Sequence, residues 1–158
     1  TAGELLAVWG RPAAAAEIDG RLAELDYGRW SGLSDAEIVG RFGEAALRGW
    51  RDLGKWPEGA GWGEGEPAVA ERVKRFARDA QARLGPGRTA VAVSSNGLLR
   101  YFLTLVPGLF EARAAAKQLA VRTGHMGELR ARTGIFELAC WNVGPDEFFS
   151  LSGGPADR

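Results

Sequence analysis

One stretch, TAVAVSSNGLLRYFL at residues 89–103, limits the possible folds of this chain more than any other. Residues 90–93 form a continuous apolar run, which is typical of a strand buried on both faces of a parallel sheet. The next four residues, SSNG at 94–97, are of the types that turn a chain sharply and cap helices. Apolar residues then recur through 98–105, so the stretch predicts a strand, a tight turn and a helix.

The predicted turn is also a candidate anion site. A helix that begins at the carboxyl end of a parallel strand directs free backbone N–H groups and its dipole at a bound charge. Ser95, Asn96 and Gly97 are therefore candidates to bind phosphate through backbone N–H groups and the serine hydroxyl. From the residues alone, simple helix capping is the favoured interpretation, and both roles can hold together.

The charge balance makes two classes of partner unfavourable. The chain has 20 basic and 20 acidic residues and a formal net charge of zero. Nucleic acid and anionic membrane surfaces select a surplus of Lys and Arg, so we expect neither as the main partner. No run approaches the roughly 18 apolar residues of a membrane span, and no signal peptide is recognisable.

The single cysteine and single histidine are weak candidates for chemistry. Cys140 cannot form a disulfide within the chain, which favours the cytoplasm, and its apolar surroundings favour a buried, inert thiol. His125 is the only histidine, and a lone histidine in a strand is more often packed or exposed than a nucleophile. No residues have the spacing of metal ligands, so we expect no metal and no other cofactor.

The length predicts one domain over residues 1–149 and a flexible tail over 150–158. Apolar periodicity and a Ser34-to-Glu37 capping box predict helices that alternate with strands, which indicates an α/β fold. The predicted helices cover 1–9, 35 onward, 44–53, 69–84 (ended by Gly85 and Pro86), 98–105 and 110–119, and the late strands cover 121–130 and 134–142. The loop 54–67 contains five glycines and two prolines, as in lids, binding loops or disordered segments.

Several motifs occur in a fixed order with fitting separations. They are LAELDYGRWSGLSDAEI at 22–38, GEGEPAVAERVKRF at 63–76, VAVSSNGLLRYFL at 91–103, a late TG strand and WN. Together they resemble the histidine phosphatase superfamily, the phosphoglycerate mutase-like proteins, over nearly the whole chain. The resemblance implies a three-layer α/β/α sandwich with a mostly parallel central sheet. It also implies phosphoryl transfer through a phosphorylated histidine.

The resemblance implies roles for particular residues. The nucleophilic histidine, in an Arg-His-Gly segment, and a second arginine are expected before Thr1. The family's proton donor precedes an arginine by eight residues, which matches Glu64 and Arg72, with Glu66 as the alternative. The family's second histidine falls on Ser95.

Three interpretations of function follow from these observations. The first is a phosphatase for a small phosphorylated metabolite, whose phosphohistidine lies outside this chain. The second is a degenerate, non-catalytic module that binds a phosphorylated ligand or a protein, which Ser95 in place of histidine favours. The third is a fragment that pairs with a separate chain. Arg100 is interpreted as a structural or surface residue rather than a phosphate ligand, and the sequence favours no particular oligomeric state.

Overall fold

The computed structural model of the protein describes residues 2–85, 87–132 and 134–151. Within these ranges the chain is a mixed α/β structure. Its α-helices are α1 (Ala2–Val8), α2 (Asp35–Phe42), α3 (Glu44–Leu53), α4 (Glu66–Leu84), α5 (Asn96–Leu99), α6 (Leu109–Ala115) and α7 (Pro145–Leu151). Its 3-10 helices are Ala13–Ala15, Gly20–Leu22, Gly28–Trp30 and Arg100–Leu105, and its strands are β1 (Met126–Arg132) and β2 (Ile135–Val143). None of the described helices combines the length and apolar character needed to cross a membrane.

The predicted capping box begins α2. The Ser34 hydroxyl accepts the backbone N–H of Glu37, and the Glu37 carboxylate accepts the N–H of Ser34 at 2.8 Å. These reciprocal bonds satisfy two N–H groups that a helix start otherwise leaves unpaired. The prediction of α2 and of α3 at 44–53 is confirmed.

The longest helix, α4, buries one apolar stripe. Val69, Val73 and Ala77 recur every four residues and are buried, which places them on one face of the helix. The helix begins at Glu66, with Pro67 in the first turn, where a missing N–H costs nothing. The predicted helix is therefore confirmed and is extended by three residues at its start. Pro86, predicted to help end it, lies outside the described residues.

The helix after the 94–97 turn is tighter than predicted. Only four residues form α5, and the chain continues as the 3-10 helix Arg100–Leu105. Leu98 and Tyr101 are fully buried and lie three positions apart, which matches the three-residue period of a 3-10 helix.

The predicted buried strand at residues 90–93 is not observed in this structure. Val91 is 60% exposed and Val93 is 36% exposed, and the described sheet contains only β1 and β2, paired antiparallel. The apolar run provides a suitable side-chain pattern but no neighbouring strand, and a strand is buried only where neighbours pair with it and layers cover it. The mostly parallel central sheet is therefore not observed among the described residues.

The late hairpin is confirmed with shifted bounds. β1 begins at Met126 rather than at residue 121, while β2 closely matches the predicted 134–142. Residues 150 and 151 of the predicted tail lie in α7, and residues 152–158 lie outside the described residues.

The long 54–67 loop packs two partly buried tryptophans against the core. The ring of Trp50 in α3 has edge-to-face contacts with Trp62 at 4.6 Å and with Trp56 at 6.2 Å between centroids. Trp56 Nε1 also donates to the Tyr101 hydroxyl at 2.6 Å, and Ala60 is fully buried. Edge-to-face aromatic pairs add about 0.5–1.5 kcal/mol each beyond area burial. The loop is therefore part of the core rather than a free lid.

Candidate functional site

The segment formed by residues 21–27 contacts both sequence-predicted site motifs, the 94–97 turn and the loop that carries Glu64. Ser94 Oγ donates to the carbonyl of Leu22 at 2.7 Å, which ties the 94–97 turn to this segment. The backbone N–H of Gly63 donates to the carbonyl of Asp26 at 3.1 Å, which ties the Glu64 loop to it. Two motifs that are far apart in sequence thus share one backbone scaffold.

Gly97 is the point of closest contact between the turn and this segment. A Cβ at this buried position would collide with the Tyr27 hydroxyl and would lie 2.6 Å from a Glu24 carboxylate oxygen. Only glycine therefore lets both side chains approach the start of α5 so closely. Burial, and then the negative charge of Glu24, raise the pKa of Tyr27 well above its ordinary value, so the phenol keeps its proton.

Ser95 caps α5 with its backbone alone. Its carbonyl accepts the N–H groups of Leu98 at 3.1 Å and Leu99 at 2.9 Å, but its side chain makes no capping hydrogen bond. The neighbouring hydroxyl of Ser94 is already used by the 21–27 segment. The Ser95 hydroxyl therefore takes no part in capping α5.

The side chain of Asn96 forms a hydrogen bond with the backbone of Val121. Its Oδ1 accepts the backbone N–H of Val121 at 2.8 Å. Its side-chain oxygen therefore has a structural partner, and any phosphate contact from this residue would use the backbone N–H.

Glu64 forms an ion pair with Arg72, the arginine that lies eight residues after it in the family-like pattern. Arg72 donates from Nε to Glu64 Oε2 at 3.1 Å and from Nη2 to Oε1 at 2.6 Å. Arg72 Nη1 also donates to the carbonyls of Arg21 at 2.7 Å and Ala23 at 2.9 Å. This guanidinium joins the Glu64 loop, α4 and the 21–27 segment, and it orients the Glu64 carboxylate.

Glu66, the alternative acid, has a different environment. Partial desolvation of its carboxyl raises the pKa of Glu66, and the negative charge of Glu111 adds to that effect. The negative charge of Glu66 in turn contributes to the raised pKa of Tyr101.

Arg100 is a structural residue, and the surface interpretation is wrong. It is 2% exposed, its guanidinium lies 4.2 Å from the Trp50 ring centroid, and Nη1 donates to the Trp50 carbonyl at 2.9 Å. Burial lowers the pKa of Arg100, and the nearby Tyr27, Tyr101 and Glu24 act in the opposite direction. Its Nε has no hydrogen-bond partner among the described atoms.

His125 and Cys140 lie in and beside the hairpin. The ring of His125 is half-buried, with Nδ1 3.4 Å from the carbonyl of Thr123. Cys140 is half-buried, and burial raises the pKa of its thiol, which suppresses the reactive thiolate. In the part of the chain that the structure describes, no group of three His, Cys, Asp or Glu side chains could hold a metal ion.

Sequence reasoning missed Glu24 and Tyr27, which lie against the predicted phosphate turn. Both were within the quoted 22–38 motif, but nothing in local spacing shows that this segment meets residues 94–97. The available signal was Gly97 itself. Glycine destabilises a helix relative to alanine, so a glycine at a helix start indicates that another group approaches the backbone closely there.

Comparison with known proteins identifies the family to which the chain belongs. No curated protein matches the chain at a significant level. The sequence model of the histidine phosphatase superfamily (branch 1) matches residues 1–144, which is most of the chain. Superfamily membership associates the chain with phosphoryl transfer in general. The protein belongs to the histidine phosphatase superfamily.

Proposed function

We propose that this chain holds the phosphate of a small phosphorylated metabolite at Ser95, Asn96 and Gly97, as part of a phosphatase. The observation that carries the proposal is the packing at Gly97, where Tyr27 and Glu24 lie against the turn. Beside it, the Ser95 hydroxyl is not used for capping. Backbone N–H groups and a hydroxyl are a fitting set to bind an anion, and a carboxyl beside them is a candidate to transfer a proton.

The nucleophile of this reaction is a histidine outside the 158 residues. Phosphoryl transfer through a phosphohistidine needs an imidazole in line with the phosphorus, and cationic or N–H groups around the equatorial oxygens. His125, the single histidine of the chain, lies beside the hairpin against Thr123. Its place supports a nucleophile from elsewhere.

In this proposal Glu64 is the proton donor, as the family resemblance implies. Glu24 is a second candidate for the same role. A general acid must first lie within reach of the leaving oxygen. Glu24 lies against Gly97, with its Oε1 accepting the backbone N–H of Leu25 at 2.9 Å, whereas both Glu64 oxygens accept from Arg72. Glu66 has the raised pKa that suits an acid, but its charge acts on Glu111 and Tyr101.

The finer fold also belongs to the proposal. We place residues 90–93 in a mostly parallel central sheet of a three-layer α/β/α sandwich, with neighbouring strands supplied by sequence outside this chain or by a separate chain. The exposure of Val91 and Val93 supports this, because unpaired apolar edges favour added strands. Cytoplasmic location, and the absence of nucleic-acid and membrane partners, rest on the single cysteine and zero net charge.

The second candidate is a non-catalytic module that binds a phosphorylated ligand or a protein. The observation that favours it is Ser95, which stands where the family has its second histidine. A serine hydroxyl can bind phosphate but cannot supply the charge of an imidazolium.

Turnover of an aryl phosphate separates the two candidates. We expect turnover only from protein that also contains the histidine-bearing segment, and not from residues 1–158 alone. In that longer protein, the variant of the true donor, Glu24→Gln or Glu64→Gln, should lose about 100-fold or more in rate. Acid-labile phosphoprotein trapped during turnover would identify the phosphohistidine. Phosphate binding without turnover would establish the binding module instead, and a lack of both would refute the proposal.

A further inference from the structure

Asn142 has an unusual backbone conformation for a residue inside a strand. Its φ is +56°, and only it and Lys117 combine a positive φ with a side chain in the described part of the chain. Asparagine tolerates this left-handed region better than most residues, but it still costs energy. Such a conformation persists only where the surrounding contacts over-determine it.

The cause is a bulge in the hairpin. Met126 pairs with Val143 and Glu128 pairs with Cys140, so Gly127 alone faces both Trp141 and Asn142. A Cβ at Gly127 would lie 2.6 Å from the Trp141 ring, which shows how closely this ring covers the opposite strand. Two residues opposite one is the definition of a bulge, and bulges change the direction of side chains.

The bulge directs two consecutive side chains at the same segment. Trp141 Nε1 donates to the carbonyl of Leu119 at 3.3 Å, and Asn142 Oδ1 accepts the backbone N–H of Arg122 at 2.7 Å. In a regular strand, consecutive side chains point to opposite faces and could not both reach one neighbour. The left-handed Asn142 makes this double contact possible.

The same segment is bound from the other side by the predicted phosphate turn. Asn96 Oδ1 accepts the N–H of Val121, the residue directly before Arg122. Leu119 and Val121 are buried, so the segment is a packed link rather than a free loop. A continuous path of hydrogen bonds and one peptide link therefore joins Asn142 to Asn96.

We propose that Asn142 is a positioning residue that fixes the Ser95–Gly97 turn through residues 119–122. The importance of the turn rests on the proposed function, but the mechanical link does not. Asn142 touches no ligand in this account; it acts by holding the N–H of Arg122, and with it Val121 and Asn96.

The test uses two substitutions that keep the left-handed backbone. Asn142→Gly removes the acceptor, and Asn142→Asp keeps an oxygen acceptor at the same place. The matched control is Lys117→Gly, which relieves the other positive φ at the end of α6. Amide hydrogen exchange is followed at Leu98 and Leu99, whose N–H groups are bonded to Ser95, and at Val121 and Arg122.

Asn142→Gly should accelerate exchange about tenfold at Leu98 and Leu99 as well as at Arg122, and Asn142→Asp should restore it. The control should change neither leucine. Affinity for inorganic phosphate should fall by roughly 3- to 10-fold in Asn142→Gly only. Unchanged exchange at Leu98 and Leu99 in Asn142→Gly would overturn the proposal. If the variants show the predicted exchange pattern but the wild-type protein does not bind phosphate, the link is supported and the proposed function is refuted.

Discussion

Arg72 holds Glu64 by both carboxylate oxygens, at 3.1 and 2.6 Å, across eight residues of sequence. The pair is only partly exposed, with 11% of the Arg72 side chain and 28% of the Glu64 side chain accessible. A bidentate pair sheltered from water is stronger and more directional than a surface pair. The loop that carries Glu64 is thereby locked to α4.

The first prediction concerns the two ends of this pair. Arg72→Gln should lower the free energy of unfolding by about 1–3 kcal/mol, because it removes the bidentate pair and bonds to the carbonyls of Arg21 and Ala23. Glu64→Gln should cost about 1 kcal/mol, since those carbonyl bonds remain. Urea denaturation measures both, with exposed Arg75→Gln as a control expected within about 0.5 kcal/mol of wild type. Equal costs at all three positions would contradict the anchoring role of Arg72.

A second prediction tests the close approach at Gly97. Gly97→Ala should lower the free energy of unfolding by about 1–3 kcal/mol, because the new methyl group meets the Tyr27 hydroxyl. Tyr27→Phe removes that hydroxyl and should recover part of the loss in the double variant, as measured in a double-mutant cycle.

The matched control for Gly97 lies in α2. Gly40 is exposed, with open space where a Cβ would go, so Gly40→Ala should stabilise the protein by about 0.5–1 kcal/mol. If Gly97→Ala were stabilising to the same extent, the packing of Tyr27 on the turn would be disproved.

The third prediction is a pH dependence centred on Glu66. Its folded pKa is raised above the ordinary 4.5, first by desolvation and then by Glu111, so the folded state binds the proton more tightly than the unfolded state. Ionisation of Glu66 therefore lowers the free energy of unfolding. This loss is absent below pH 4.5 and grows as pH rises towards the raised pKa. Glu66→Gln should therefore increase stability near neutrality but not near pH 4. Thermal melts across this range check it, with exposed Glu71→Gln as the control.

A fourth prediction has the opposite sign. The hydrogen bond from Arg21 lowers the pKa of Asp19 from 3.8 to about 2. A lowered folded pKa contributes stability that is present above pH 3.8 and is lost as pH falls through about 2. Asp19→Asn should therefore destabilise the protein at neutral pH and flatten its acid-induced loss of stability. Acid titrations that superimpose for the two proteins would contradict this.

Elements with their own start and stop signals could be predicted from the sequence. The α2 boundary depended on Ser34 and Glu37, which are three residues apart, and the α4 stripe on a period that any helix must have. The strand predicted at residues 90–93 is not observed, because the burial of a strand depends on neighbours that the local sequence does not specify.

The candidate site could be predicted only in part, for the same reason. The spacing to Arg72 singled out Glu64 through the family resemblance, but the ion pair between the two side chains is visible only in the structure. The contact of Glu24 and Tyr27 with Gly97 joins segments about seventy residues apart, and no local pattern encodes such a meeting.

Titration of inorganic phosphate into the purified protein, followed by calorimetry, tests the central claim most directly. The account predicts saturable binding at one site, weakened by roughly tenfold in Ser95→Ala because a hydroxyl that donates to a charged ligand is lost. The absence of saturable binding, or equal affinity of wild type and Ser95→Ala, would contradict the assignment of the Ser95–Gly97 turn as the phosphate site.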